Sequence, residues 1–227
     1  MREQSILFLC SGGGGNLRFI HRVLKNNWLP RWSRIVVVAD RECPATEYAR
    51  EESLTTSCID FTANEQNDLL QTALLENPDI IITTVHRILR APLLNAFDGR
   101  LLNLHYSLLP SFGGSIGTNP VRAAMAYGAC LAGATVHQVT EALDGGQPQV
   151  QVAVPLSRDD TLGDIMDVVF RSGCIALFTA LKQISDASEA NWKGANLHIK
   201  DRNALINPSV QLPAELADNT FWQSLKQ

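Results

Sequence analysis

Two short runs of branched apolar residues constrain the fold of this chain most strongly. Residues 34–39 contain Ile35 and three consecutive valines, and residues 79–84 contain three consecutive isoleucines. Neither run alternates apolar with polar residues, as a strand exposed on one face would. Strands that are apolar on both faces are typical of parallel sheets covered by helices on both sides. The sequence therefore predicts an α/β fold with a mostly parallel sheet.

Other segments along the chain complete this alternation of strands and helices. Further strands are predicted over residues 5–10, 101–105, 134–139 and 149–154, the last two as an antiparallel pair. Helices are predicted over residues 16–27, 44–52, 63–76 and 161–183. In the third of these helices Leu69, Leu70, Ala73 and Leu74 share one face, and in the fourth Ile165, Val168, Val169 and Ala176 form the buried side.

The chain changes character after Ser185, where it becomes polar, contains Pro208 and Pro213 and shows only weak periodicity. We therefore expect a catalytic domain over residues 1–185 and a C-terminal extension over residues 186–227. This short tail either wraps the domain or extends from it.

Composition limits the partners and the compartment of the protein. A chain of 227 residues with 45% hydrophobic content can bury one full core, and a net charge of −4 argues against nucleic acid as a partner. The five cysteines are scattered without ligand spacing, which predicts reduced and mostly buried thiols. No apolar run is long enough for a membrane span, and the first residues do not resemble a signal peptide. We expect a cytoplasmic protein that does not engage a membrane, and a homodimer remains open.

A tract of four glycines, Gly12 to Gly15, lies between the first strand and its helix and is followed by Asn16. Bare backbone N–H groups at a helix N-terminus can hold an anion. The tract matches neither a Walker A sequence nor a good dinucleotide fingerprint, although Asp40 at the end of the second strand keeps a nucleotide in consideration. The alternative is a tight turn that only lets helix and strand pack.

Asn103 and His105 are alternate residues of the predicted fourth parallel strand, so both side chains leave the same face. An amide that donates to a developing oxyanion and an imidazole that exchanges protons are what acyl transfer to an amine requires. On these two residues alone, a hydrogen-bonded asparagine and a core histidine explain the pattern as well. His86 and His137 have no partner that the sequence reveals, and we expect each to be packed or exposed.

Asp144 opens the sequence Asp-Gly-Gly between the two antiparallel strands. Asp-Gly is a preferred hairpin turn, which is the simple interpretation. The functional interpretation is a carboxylate that orients His105 and stabilises its imidazolium. The sequence contains no metalloprotease, EF-hand or serine-hydrolase motif, and nothing in it requires a metal.

Residues 99–110, which carry the pattern Asn-x-His-x-Ser-Leu-Leu-Pro, together with residues 133–137 and the Asp-Gly-Gly sequence, resemble the folate-dependent formyltransferase family. That family includes the glycinamide ribonucleotide, methionyl-tRNA and amino-sugar formyltransferases. The resemblance extends from about Ser5 to Leu181. It implies a Rossmann-like domain and 10-formyltetrahydrofolate as the cosubstrate.

The same resemblance implies roles for individual residues. The catalytic set falls on Asn103, His105 and Asp144, all three of which are intact. The pterin pocket would be lined, largely through backbone groups, by Arg87, Ile88, Leu89, Val139, Glu141 and Asp144. The acceptor would enter over the glycine tract and contact Gly13, Gly14, Gly15, Asn16, Tyr106 and Ser107.

Two departures from the family pattern bear on the acceptor. In the glycinamide ribonucleotide enzymes the loop resembles Ser-Gly-Asn-Gly-Ser-Asn and a glutamate on the long helix contacts the substrate, whereas here the loop is all glycine and the matching helix position is Gly173. We therefore expect a small amine such as a hydroxyornithine or an amino sugar in preference to glycinamide ribonucleotide.

Two other functions remain in consideration. A hydrolase of the same folate would replace the amine by water. The family's hydrolases usually carry an extra N-terminal regulatory domain, whereas the first strand here begins at Ser5, and we therefore expect transfer. A non-catalytic folate- or nucleotide-binding protein would be expected to have lost a catalytic residue, and none is lost.

Overall fold

The computed structural model describes residues 3–186 and 191–225. The chain forms two compact units. Unit 1 comprises residues 1–103 and 138–143, and unit 2 comprises residues 104–137 and 144–227. The division falls within one strand, between Asn103 and Leu104, and the residues after Ser185 belong to unit 2.

Unit 1 is built on parallel strands. They lie in the order β3-β2-β1-β4-β5, and every neighbouring pair is parallel. Their bounds are β1 (Gln4–Cys10), β2 (Trp32–Ala39), β3 (Thr55–Cys58), β4 (Ile80–Thr84) and β5 (Leu101–His105), of which the last two residues belong to unit 2. Consecutive residues of β1, β2 and β4, such as Ile81 and Ile82, are buried, because both faces of these strands are covered. The predicted parallel sheet is confirmed.

The helices of unit 1 follow the predicted order. They are α1 (Gly15–Lys25), α2 (Pro44–Glu51), α3 (Asn67–Glu76) and the short α4 (Ala91–Ala96), which the sequence did not predict. A core cluster joins α3 and α4 to the strands, with Leu7, Phe61, Leu69 and Phe97 among its fully buried members.

The prediction for residues 63–76 was partly wrong. A turn of 3₁₀ helix over Asn64–Gln66 precedes α3, and Gln66 has a left-handed backbone with φ 67°, which separates the two. Leu69 and Ala73 are buried as predicted, but Leu74 is 48% exposed. At about 100° per residue, Leu74 lies more than a quarter turn from the centre of the stripe formed by Leu69 and Ala73.

Unit 2 combines antiparallel strands with a long helix. Its strands are β6 (Leu131–Gln138), β7 (Pro148–Pro155), β8 (Ala195–Ile199) and β9 (Arg202–Asn207), and its helices are α5 (Asn119–Tyr127), α6 (Leu162–Ser185) and α7 (Asn219–Ser224). The pairs β6–β7, β7–β9 and β9–β8 are antiparallel, which confirms the predicted pair. Thr161 caps α6 by accepting the N–H of Asp164, and the four residues predicted for its buried side are all buried.

The residues after Ser185 contain elements that the sequence did not predict, namely β8, β9 and α7. The guanidinium of Arg202 donates to both carboxylate oxygens of Asp160 and to the Pro155 carbonyl. Arg171 donates to Asn219 at 2.6 Å and lies over the Trp222 ring. The extension is therefore tied to β7 and α6 by strand pairing and by buried polar contacts.

Two predictions from composition can be compared with the structure. Cys10, Cys43 and Cys174 are buried free thiols, and Cys58 and Cys130 are exposed free thiols. Burial raises the pKa of the Cys10 thiol to about 12, which keeps it protonated. Within residues 3–186 and 191–225, no helix has the length and apolarity that a membrane crossing requires.

Candidate active site

Two buried histidines of unit 2 lie on either side of one carboxylate, that of Asp144. His105, the last residue of β5, is 6% exposed, and its Nδ1 lies 3.5 Å from Oδ2 of Asp144. His137 on β6 is 2% exposed, and its Nε2 lies 3.6 Å from Oδ1 of the same residue. The structure thus places Asp144 between two imidazoles, where a carboxylate can fix ring orientation and balance positive charge.

Asp144 is held in place by its own backbone and by a neighbouring loop. Its φ is 50°, a left-handed conformation that aspartate tolerates better than most residues, and its Oδ2 accepts the Gly114 N–H at 2.7 Å. Because β6 ends at Gln138 and β7 begins at Pro148, the Asp-Gly-Gly sequence lies in a long loop and does not form a two-residue hairpin turn. The turn interpretation does not account for a side chain that is 8% exposed and directed at two histidines.

The second nitrogen of His105 faces a backbone acceptor. Nε2 lies 3.2 Å from the Phe112 carbonyl oxygen, and Phe112 has a φ of 58°. A carbonyl and a carboxylate both accept hydrogen bonds, so a neutral imidazole can donate to only one of them at a time. Withdrawal of the Phe112 carbonyl would leave Nδ1 to donate to Asp144 and would present Nε2 to a reactant.

A network of hydrogen bonds holds the loop that follows His105. Thr135 Oγ1 donates to the Ser107 carbonyl at 2.7 Å and accepts the Leu109 N–H at 3.1 Å. Gln151 Nε2 donates to both the Leu109 carbonyl and Thr135 Oγ1. Ser107 Oγ donates to the Ser111 carbonyl at 2.6 Å, so its hydroxyl is engaged inside the loop. Tyr106 is half-buried beside it.

Asn103 lies two residues before His105 on β5 and is paired with Thr83 in the sheet of unit 1. Its side chain is half-buried, and it leaves the same face of β5 as His105 because side chains alternate along a strand.

The glycine tract forms the entry to α1 in unit 1. Gly14 is the N-cap, with a φ of 71°, and a Cβ there would lie 2.8 Å from the Ala45 Cβ. Gly12 and Gly13 have ordinary φ values and open space where a Cβ would be. Packing therefore explains Gly14 but neither Gly12 nor Gly13. Gly14 supplies no side-chain cap to α1, and a helix N-terminus is a position that favours a carboxylate or phosphate.

The segment predicted to line the pterin pocket is anchored by a residue that the sequence did not reveal. Gln66 Nε2 donates to the Ile88 carbonyl at 2.9 Å, and its Oε1 accepts the Arg90 N–H at 2.9 Å. Leu89 is buried in the core of unit 1 and Val139 packs against the same core, whereas Ile88 is 71% exposed. Glu141 is exposed in the loop after β6.

Asp40 forms ion pairs with two arginines, Arg41 and Arg87. Its side chain is only 4% exposed, pairs with Arg41 at 2.8 Å and lies 3.6 Å from Nε of Arg87. Burial alone would raise the pKa of Asp40, but hydrogen bonds from Arg41 and Ser11 and the charge of Arg87 lower it below its ordinary value. Asp40 is thus an ionised anchor for Arg87. In the described part of the chain no group of His, Cys, Asp and Glu side chains is placed to hold a metal ion.

Sequence reasoning missed the contacts of His137 and Phe112 in unit 2 and of Gln66 in unit 1. His137 follows a run of strand residues and resembles any core histidine. The contacts of Phe112 and Gln66 depend on positive φ values in loops, which no local pattern announced.

The fold is a parallel α/β sheet with an imidazole beside a carboxylate at the carboxyl end of a parallel strand, which is where open α/β sheets bind ligands. Residues 4–181 match the formyl transferase family, so this chain belongs to that family. Its enzymes are folate-dependent formyltransferases that use 10-formyltetrahydrofolate as the formyl donor.

Two similar proteins are phosphoribosylglycinamide formyltransferases. A phosphoribosylglycinamide formyltransferase from Mycobacterium tuberculosis is 36% identical over 185 residues, which are 78% of this chain and 84% of that protein. The chloroplastic phosphoribosylglycinamide formyltransferase of Vigna unguiculata is 30% identical over 73% of this chain, and the chain spans only 55% of that relative.

A solved structure shows the same fold. Glycinamide ribonucleotide transformylase 1 from Symbiobacterium toebii superposes with a TM-score of 0.74 at 27% identity, covering 88% of this chain and 93% of that one. The Rossmann-like α/β fold implied by the resemblance is therefore confirmed.

Proposed function

We propose that this protein transfers a formyl group from 10-formyltetrahydrofolate to the amine of a small metabolite other than glycinamide ribonucleotide, with a hydroxyornithine-type amine or an amino sugar preferred. Family membership supports the donor and the reaction. The proposed acceptor differs from that of the relatives, which are named as phosphoribosylglycinamide formyltransferases. The proposal depends on the surroundings of one glycine.

That glycine is Gly173 on α6. A Cβ at this position would lie 2.9 Å from the Leu104 Cδ2 and 2.9 Å from the Tyr106 Cε1. The ring of Tyr106 and the tip of Leu104 therefore fill the space that a side chain at residue 173 would need. A glutamate that reaches a substrate amine from this helix position cannot be accommodated without moving both. This is the observation that carries the choice of acceptor.

The donor-binding segment has properties that fit a folate. The backbone from Arg87 to Arg90 is fixed by Gln66, and Ile88 exposes a large aliphatic side chain on that fixed backbone. An exposed aliphatic residue on an anchored backbone suits the flat, partly polar ring of a pterin. We propose that Arg87, Ile88, Leu89, Val139, Glu141 and Asp144 bind the donor, largely through backbone groups.

The acceptor is proposed to bind over the glycine tract and beside the loop after His105. The N-terminus of α1 would favour an anionic group of the acceptor through its dipole, with Gly13, Gly14, Gly15 and Asn16 in contact with the acceptor. Tyr106 and Ser107 would line the approach to His105.

Each catalytic residue has one proposed task. The amide of Asn103 donates a hydrogen bond to the formyl oxygen as negative charge develops there. When the reactants bind, Nε2 of His105 leaves the Phe112 carbonyl and contacts them. His105 then moves a proton from the attacking amine towards the departing nitrogen. Asp144 keeps the imidazole oriented and balances its charge. His137 positions Asp144 from the opposite side.

An acceptor panel tests the proposal. The protein is incubated with 10-formyltetrahydrofolate and, in separate reactions, N-hydroxyornithine, an amino-sugar nucleotide or glycinamide ribonucleotide, and the formylated product is measured by mass spectrometry. We expect a formylated hydroxyornithine or amino sugar at a kcat/KM well above that for glycinamide ribonucleotide. Glycinamide ribonucleotide as the best acceptor would refute the acceptor proposal. Formate released in all reactions without formylated amine would make the protein a hydrolase.

A further inference from the structure

A cavity of about 250 Å³ opens in unit 2 between the loop after His105, helix α5 and strand β6. Tyr106, Phe112, Val121, Ala124 and Tyr127 form much of its wall. The rings of Phe112 and Tyr127 meet edge to face with centroids 6.4 Å apart. Tyr127 at the rim is 83% exposed, so the cavity is open to solvent.

The lining selects for an apolar, uncharged group. None of the described residues that form the cavity wall carries a charge. Ser107, one of its few polar members, already donates its hydroxyl to the Ser111 carbonyl. The volume exceeds that of the roughly 150 Å³ apolar cavity that is known to accept benzene in another protein. A six-membered ring or a branched aliphatic group would fit.

Two wall residues connect the cavity to His105. Tyr106 is its neighbour in the chain, and the carbonyl of Phe112 lies 3.2 Å from Nε2 of His105. A group that fills the cavity therefore contacts the residue whose backbone must release Nε2 before the imidazole can meet a reactant. Two wall residues of the cavity therefore lie next to His105.

Gly173 lies next to one wall residue of this cavity. A Cβ at position 173 would lie 2.9 Å from Cε1 of Tyr106, and Tyr106 is also a wall residue of the cavity. A larger residue at position 173 would therefore displace the Tyr106 ring.

We propose that this cavity is the specificity pocket for the apolar part of the acceptor amine, namely the carbon chain or ring carbons next to the reacting nitrogen. The inference rests on the proposed formyl transfer and narrows its substrate class to amines with an apolar substituent close to the reacting nitrogen. It assigns Ala124, Tyr127 and Tyr106 as residues that determine acceptor choice.

The first experiment measures binding without turnover. Benzyl alcohol is the probe, and its dissociation constant is obtained by NMR titration of the wild-type protein and of Ala124→Leu, which fills the cavity from α5. Ala126→Leu, an exposed position on the same helix that does not line the cavity, is the matched control. We expect the control to bind like wild type and Ala124→Leu to bind at least about tenfold more weakly, as expected for loss of a buried ring-sized contact.

Tyr127→Ala covers the case in which Ala124→Leu does not fold, since an exposed rim residue can be truncated without overpacking the core. This variant should raise the dissociation constant of benzyl alcohol several-fold and leave the melting temperature near that of wild type. Equal binding by wild type, Ala124→Leu and Tyr127→Ala would overturn the proposal. A change of oligomeric state in Tyr127→Ala with unchanged probe binding would also overturn it, because this face would then belong to a second copy of the chain.

The second experiment compares two acceptors that differ only in the group offered to the cavity, O-methylhydroxylamine and O-benzylhydroxylamine. The ratio of their kcat/KM values should favour the benzyl compound by at least about tenfold in wild type and in Ala126→Leu, and should fall towards unity in Ala124→Leu. Equal use of both amines by wild type would refute the pocket and leave formyl transfer intact. Formate production with neither these two amines nor any amine of the acceptor panel formylated would refute the proposed transfer itself, while the probe titration still reports on the cavity.

Discussion

At the scale of single residues, the surroundings of Asp144 separate what the sequence could show from what it could not. Asn103 and His105 share a strand face by simple alternation, so their relation was predictable. The contacts of Asp144 with His105 and with His137 join residues distant in the chain, and only the folded structure shows them. His137 had no local signal, because a histidine within an apolar strand is indistinguishable from a packed core residue.

The packing around Gly173 gives a prediction with an internal control on the same helix. Gly173→Ala should destabilise the protein by about 1–3 kcal/mol, because its Cβ overlaps Leu104 and Tyr106. Gly163→Ala meets only ordinary contact with Thr161 and should stabilise the protein by up to about 1 kcal/mol. Melting temperatures of the two variants measure the difference. A Gly173→Ala protein as stable as Gly163→Ala would contradict the assigned role of Tyr106.

At the scale of elements, the apolar patterns predicted the buried parallel strands β1, β2, β4 and β5 and the antiparallel pair β6 and β7, but they missed strand β9. Strand β9 contains Ala204, Leu205 and Ile206 in succession, and the middle residue is 51% exposed while its neighbours are buried. Three consecutive apolar residues concealed the alternation of this strand. The helix over residues 63–76 was predicted as one element because nothing in the sequence announced the left-handed Gln66.

The glycine tract offers a test of ligand approach against simple packing. Gly14→Ala should lower stability by about 2 kcal/mol or more, since its backbone is left-handed and its Cβ would meet Ala45. Gly13→Ala has open space and should melt like wild type, yet raise KM for the acceptor if the substrate approaches this backbone closely. An unchanged KM for the acceptor in a stable Gly13→Ala protein would show that the acceptor does not bind at this loop.

Anchoring of the donor segment by Gln66 is testable in the same way. Gln66→Asn shortens the side chain, so that it cannot satisfy both the Ile88 carbonyl and the Arg90 N–H. We expect the Kd of a non-reactive 10-formyltetrahydrofolate analogue to rise about tenfold, with Gln71→Asn on the exposed face of α3 as the control. Equal affinity in both variants, measured by calorimetry, would show that this segment does not bind the donor.

At the scale of the whole molecule, the division into two units does not follow the sequence boundary at Ser185. Strand β9 pairs with β7, and Arg202 forms a two-pronged contact with Asp160 in the loop before α6. We propose that residues 186–227 act as an extension that completes unit 2. Neither the polar composition nor the two prolines of this segment indicated that it would join a sheet.

The contact between Arg202 and Asp160 predicts a pH-dependent stability. The hydrogen bond from Arg202 lowers the pKa of Asp160, so its contribution is present above the ordinary carboxyl pKa and is lost as pH falls through the lowered value. Arg202→Ala should therefore be less stable than wild type near neutral pH, and this difference in melting temperature should shrink below about pH 4. Arg158→Ala in the same loop should show no such dependence. A difference that persists unchanged at low pH would exclude the ion pair as its source.

The central claim, that His105 oriented by Asp144 performs formyl transfer, is tested most directly by the turnover of His105→Ala with the best acceptor of the panel, measured alongside binding of the non-reactive folate analogue. The account predicts that kcat falls by about 10² to 10⁴, as expected for loss of an acid–base catalyst, while analogue binding and melting temperature stay near those of wild type. A variant that turns over within about threefold of wild type, far short of that loss, would contradict it.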